Sequence, residues 1–172
     1  MAMKKVLARV GLAVALAVVQ AVLVHHLGGG RFPVALALPV VVWLGMEAPP
    51  VEGALGAAAI GWVLDTLSGA PSGLYAFLAV LLFLGSRLAG TLLDVRGRAA
   101  FGLACGVGTL LVGLAALALR RVSAPAEAAP GWPMASRVML EAVLTGLAAP
   151  AVRALLLRLD RRMEPEETGL LG

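Results

Sequence analysis

Long apolar runs limit the fold more than any other feature, among them GLAVALAVVQAVLV at 11–24 and LYAFLAVLLFLG at 74–85. About 20 helical residues at 1.5 Å each cross about 30 Å of hydrocarbon, so such runs read as membrane-spanning helices. Composition points the same way. Of the 172 residues, 60% are hydrophobic and only 14% are charged, whereas a water-soluble domain carries about 25% charged residues. The expected class is an all-α polytopic membrane protein, a compact bundle of about six transmembrane helices with little chain outside the bilayer.

The breakers between the runs predict six spans. The first is 6–27, and GGGR follows it. The second, 32–46, is short and contains Pro39; the polar, proline-rich EAPPVE turn comes next. The third is 53–67, closed by SGAPS, and the fourth is 73–93, followed by DVRGR. The fifth is 99–119, and a 17-residue loop, RRVSAPAEAAPGWPMAS, leads to the sixth at 138–159. The tail DRRMEPEETGLLG is expected to be disordered. The domain reading is therefore one transmembrane domain, 1–159, and a cytoplasmic tail, 160–172. Spans two and three lie near or below the lower limit of about 17 residues. They admit a re-entrant pair or a full hairpin, and a hairpin through a thin or well-packed region is the preferred expectation. The N-terminus imitates a signal peptide, with basic residues before an apolar stretch. That stretch continues to Leu27 with no polar cleavage region after it, so it reads as a retained first helix.

Orientation follows from Lys and Arg. With a cytoplasmic N-terminus, the inner side holds Lys4, Lys5, Arg9, Arg96, Arg98, Arg158, Arg161 and Arg162, against Arg31, Arg120, Arg121 and Arg137 outside. This bias favours both termini on the cytoplasmic side. Arg87 and Arg153 fall within spans, near enough to the inner end to snorkel. A net charge of +4 is accounted for by these flanks and is no sign of nucleic-acid binding. Cys105 is the only cysteine, so no intramolecular disulfide is possible, and it reads as a small core residue.

In the third span, Gly53, Ala57, Gly61, Asp65 and Gly69 recur every four residues. Residues four apart share a helix face, so a stripe of small side chains ends in a carboxylate. In lipid, small residues at this spacing let helix backbones approach closely. An aspartate at mid-bilayer costs about 2.5–3.5 kcal/mol, and less near the interface, so Asp65 needs partners. The N–H groups of the SGAPSG turn are nearest, and Ser72 or the turn itself can cap a fourth span that starts at about Gly73. Asp65 reads either as a structural turn-maker or as the organiser of a contact with another chain. Ala13, Ala17 and Ala21 in span one, and Gly102 and Gly106 in span five, form further packing faces.

No phosphate loop or dinucleotide fingerprint is present, and His25 and His26 are adjacent, so they point apart on a helix and make a poor metal pair. Ser68 lacks the sequence context of an intramembrane serine protease. Glu141 and Arg137, four apart, read as a helix-end ion pair rather than an acid–base device. Trp43, Trp62 and Trp132 suit interfaces or tight packing. The expectation is a protein without catalytic residues, metal or cofactor.

The pattern Gly61-x3-Asp65-x2-Ser68-Gly69-x3-Gly73-x2-Ala76 resembles the most characteristic segment of the MreD family, the bacterial rod shape-determining membrane proteins. The size, the short hairpin before the motif and the six-span layout are similar along nearly the whole chain. The unusually Ala- and Gly-rich spans and the proline-rich outer loop depart from the family pattern. The resemblance implies a non-enzymatic subunit of the elongation complex that builds the lateral cell wall. Its implied partner is MreC, with MreB, RodA and a penicillin-binding transpeptidase around it. MreD also looks like the substrate-binding subunits of energy-coupling-factor vitamin transporters, which share a compact six-helix fold. That likeness implies a rival function: a small molecule held in the outer half of the bundle, near His25, His26, Arg31, Asp65, Arg137 and Glu141, with the Ala13–Ala17–Ala21 stripe facing a transport partner. An aromatic content of 5% is low for a vitamin pocket, which usually needs several rings.

Overall fold

A computed structural model describes residues 2–26, 34–68, 73–92, 97–123 and 132–163. They form six helices: α1 (Ala2–His26), α2 (Leu38–Glu47), α3 (Pro50–Ser68), α4 (Leu74–Leu92), α5 (Arg98–Ser123) and α6 (Trp132–Met163). Five of them make a ring in the order α1, α3, α4, α5, α6 and back to α1, and α2 touches all five. The short helix is thus the axis of the bundle. Its sequence, LPVVVWLGME, is apolar on every side, and residues Leu38 to Gly45 are all buried. A helix apolar all round has to be enclosed.

Four helices, α1, α4, α5 and α6, are long and apolar enough to cross a membrane. The six expected helices are present, and four of them meet the length and composition of a crossing helix. At 10 residues, α2 is about 15 Å long and covers about half of the hydrocarbon. Pro39 is the reason: it occupies the first turn, where its missing N–H costs nothing, so the helix starts there and not at residue 32. At 19 residues α3 is long enough, but it carries two carboxylates, Glu52 and Asp65.

Non-helical backbone at membrane depth survives only where protein satisfies it. Ahead of α2, the Ala35 N–H donates to Thr145 Oγ1 of α6 and the Leu36 N–H to Gln20 Oε1 of α1, each at 2.9 Å. Behind it, Arg87 Nη1 donates to the Ala48 carbonyl at 2.9 Å. Arg87, expected to snorkel towards the inner end, closes the end of the axial helix there. Arg153 lies over the Trp43 ring at 5.8 Å, and Trp43 meets Phe101 edge-on at 5.9 Å. Trp43 and Cys105 are core residues.

The start of α1 and the end of α6 lie together. Arg9 Nε and Nη2 donate to the two carboxylate oxygens of Asp160 at 3.1 and 2.9 Å. The expected boundary at residue 159 is therefore corrected, because α6 runs on through Met163 and Asp160 belongs to the bundle. Likewise α5 runs through Ser123 and α6 begins at Trp132, so the expected loop at 120–136 is shortened from both sides.

Candidate functional site

The α3–α4 corner holds the stripe and the carboxylate singled out in the third span. Gly53, Ala57, Gly61 and Asp65 are all buried. A Cβ on Gly53 would meet the Phe83 ring, and a Cβ on Gly61 would run into the Tyr75 carbonyl and the Ala76 Cα. The stripe is thus spent on α4 of the same chain. At Gly61 the backbones of α3 and α4 touch, and only glycine leaves room for that.

One turn further, Asp65 is 5% exposed. Its Oδ1 accepts the Tyr75 N–H at 2.8 Å, and its Oδ2 accepts the N–H groups of Gly73 at 3.0 Å and Ala76 at 3.2 Å. These donors belong to the start of α4, where N–H groups lack partners within the helix. The first bond inside α4 is Phe77 N–H to the Gly73 carbonyl, at 2.9 Å. Asp65 is therefore a helix cap supplied from eight or more residues upstream. A carboxylate there is favoured by charge-assisted bonds and by the positive end of the helix. Gly73 holds φ at +94°, a left-handed turn that suits glycine. Ser68 Oγ donates to the Asp65 carbonyl at 3.4 Å. Gly69 and Ser72 lie outside the described residues, as does Arg31. The expected capping by Ser72 therefore falls outside the described residues; among those described, Asp65 caps α4, and no basic side chain bonds to its carboxylate.

The other small-residue faces are also internal. Gly102 lies against the Gly146 carbonyl and Gly106 against that of Ala142, and added Cβ atoms there would sit at 2.9 and 3.2 Å. Sequence reasoning found one side of this α5–α6 seam and missed Gly146, although Ala142, Gly146 and Pro150 repeat at the same four-residue spacing. Ala13 and Ala17 are buried in the core, whereas Ala21 is exposed and lines a cavity.

That cavity, of about 230 Å³, opens between the Asp65 corner and the other helices, with Gln20, Ser68, Tyr75, Thr109 and Glu141 as its polar lining. A second chamber of about 210 Å³ shares Tyr75 and Glu141 and adds Arg137. Among the described residues, no group of three His, Cys, Asp or Glu side chains is placed to hold a metal ion. The chemistry on view is hydrogen bonding that fixes geometry.

No family model, curated protein or solved structure matches this chain.

Proposed function

We propose that this chain is a non-enzymatic inner-membrane subunit of the bacterial elongation complex, of the MreD kind. It acts in cell shape and lateral peptidoglycan synthesis by binding MreC, with MreB, RodA and a penicillin-binding transpeptidase as wider partners. One observation carries the reading. The described residues of the motif that resembles MreD converge on a single corner: Gly61 admits the backbone of α4, Asp65 caps it, Gly73 turns the chain into it and Ala76 supplies a capped N–H. A corner built this way positions a helix, which suits a scaffold. The start of α1 and the end of α6, joined by Arg9 and Asp160, lie at one end of the bundle, which suits the cytoplasmic placement that the Lys/Arg bias favours.

Affinity purification from native membranes tests the reading, and MreC in the eluate is the expected result. A second reading, a substrate-binding subunit of an energy-coupling-factor transporter, draws on the two chambers beside Tyr75 and Glu141. Recovery of an ATPase and a coupling subunit in place of MreC would select it. The buried Ala13 and Ala17 weigh against it, because an alanine face offered to a transport partner has to be on the surface. A reporter active only in the periplasm, fused after Gly172, is expected to be silent; strong activity would reverse the orientation.

A further inference from the structure

The chamber of about 230 Å³ beside the Asp65 corner has a buried floor and a charged wall. Its floor includes Ala17, Leu38 and Thr109, all buried, and its mouth includes Ala21, Leu67 and Ser68, all exposed. Thr109 is 3% exposed, and its Oγ1 has no hydrogen-bond partner among the described residues. A buried helical threonine ordinarily bonds a carbonyl one turn back, and a buried hydroxyl without a partner is costly. Glu141 is the only charged side chain among the described residues that line this chamber. It falls in the stretch of α6 apolar enough to cross a membrane, 134–163. Ionisable side chains are expensive there, face an interior or a cavity, and mark ligand or ion sites.

These groups come together from three helices. Gly106 lies against the Ala142 carbonyl and Gly113 against Val138, so Thr109 on α5 stands level with Glu141 on α6. Tyr75 of α4 and Glu141 line both chambers, which places them where the two chambers meet.

We propose that Thr109, Tyr75 and Glu141 form a binding site for the protonated amino group of a small primary amine. A primary ammonium has three N–H donors and no acceptor. The Glu141 carboxylate accepts one with charge assistance, the unpartnered Thr109 hydroxyl accepts another, and the Tyr75 ring offers a cation its negative face. Leu38, Leu64 and Val112 line the remainder of the chamber and suit an apolar body. An apolar cavity of about 150 Å³ takes the six heavy atoms of benzene, so this one takes about nine. Arg137, one turn before Glu141, lines the second chamber, and its charge disfavours a second amino group there. A monoamine therefore fits better than a diamine. The amino group belongs either to a free amine or to the ethanolamine headgroup of a lipid. The site goes beyond the function proposed above and holds whether the chain is a scaffold or a transporter subunit.

Phenethylamine and phenethyl alcohol have the same shape and differ in charge, and they test the site on the full chain in detergent. Phenethylamine is expected to bind saturably at one site, about tenfold or more tightly than the alcohol. Glu141→Gln is expected to remove that preference while leaving membrane levels and the weak binding of the alcohol unchanged. Thr109→Val is expected to weaken phenethylamine about threefold or more without lowering the melting temperature of the unliganded protein, because no hydrogen bond is lost. A lower melting temperature would make the hydroxyl structural and remove Thr109 from the site. Native mass spectrometry of protein released from its own membranes separates the two sources. Phosphatidylethanolamine retained by the wild type and lost in Glu141→Gln assigns the ammonium to a lipid; a small amine retained and lost in the same way assigns it to a free ligand. Equal affinity for the two probes, a preference that Glu141→Gln does not change, or no saturable binding of phenethylamine overturns the site and leaves the chamber to water. None of these readouts depends on whether MreC is recovered.

Discussion

Helix α4 has two sides that meet its neighbours in opposite ways. Toward α3 it is closed: Gly61 brings the two backbones into contact and Asp65 binds three N–H groups of the first turn. Toward α5 it is open along Gly85, Ala89 and Ala104, which are as small as the α3 stripe, and closed at Gly108, where a Cβ would run into the Leu82 side chain. Small residues therefore permit a close seam and do not create one. Hydrocarbon tails are as apolar as the side chains, so a seam in lipid needs packing or hydrogen bonds that favour it over lipid. The α3 side has both. On the α5 side, small residues without a polar anchor leave an apolar groove.

The largest expected effect comes from removing the anchor. Asp65→Leu leaves up to three donors at the start of α4 unpaired, at about 1–3 kcal/mol for each that stays buried. The variant is expected to accumulate poorly in the membrane and to unfold early in a detergent titration. Wild-type membrane levels and an unchanged unfolding midpoint for Asp65→Leu would show that the closed side does not depend on its carboxylate.

Gly61→Ala should cost about 1–3 kcal/mol by overpacking, because the new methyl meets the Tyr75 carbonyl and Ala76 Cα, which are backbone and cannot swing aside. Gly61→Leu should cost more. A chain that tolerates both without loss of melting temperature would mean that α3 and α4 are not in contact there.

Asp65→Asn comes next. With a purely local turn, asparagine is a good substitute, and tolerance of it would separate a turn-maker from a charged contact. The geometry removes that distinction. Both carboxylate oxygens accept N–H groups, and an asparagine presents an NH₂ where one of them stood. With the NH₂ in place of Oδ1, which bonds one donor where Oδ2 bonds two, one donor loses its acceptor, at about 1–2 kcal/mol. The expected phenotype is near-normal membrane level with weaker partner recovery, because the start of α4 is held less firmly. Fully retained recovery would detach the corner from partner binding.

Most of this architecture was legible. The α3 stripe pointed to a close helix contact, and a carboxylate after it pointed to turn N–H groups. Which helix used the stripe was not legible, because spacing gives a face without naming its neighbour. The central place of α2 was also hidden. Its apolar run has no period, and a run as short as 10 residues fits a buried core helix as well as a short span. Arg9 and Asp160 were read as flanking charge and tail, since their pairing joins the two ends of the chain and leaves no local mark. The groove had only glycines and alanines to announce it, and those same residues mark the closed seams.

The smallest expected effect is the sharpest test of the contrast. Gly85 sits in the middle of α4, and a Cβ there meets nothing within 4 Å. In water, glycine in a helix is about 0.5–1 kcal/mol worse than alanine. In a membrane that difference shrinks, because the unassembled segment is already helical to satisfy its own backbone. No packing penalty opposes the change, so Gly85→Ala should shift stability by about 0.5 kcal/mol or less, within the range of ordinary surface substitutions. The same substitution on the closed side, Gly61→Ala, is expected to cost several times more. Measured side by side in one detergent titration, the two variants compare the faces of one helix with identical chemistry. Equal losses would mean that the α4–α5 seam is closed in the folded protein. A loss confined to Gly61→Ala keeps α4 as a helix held on one side and open on the other.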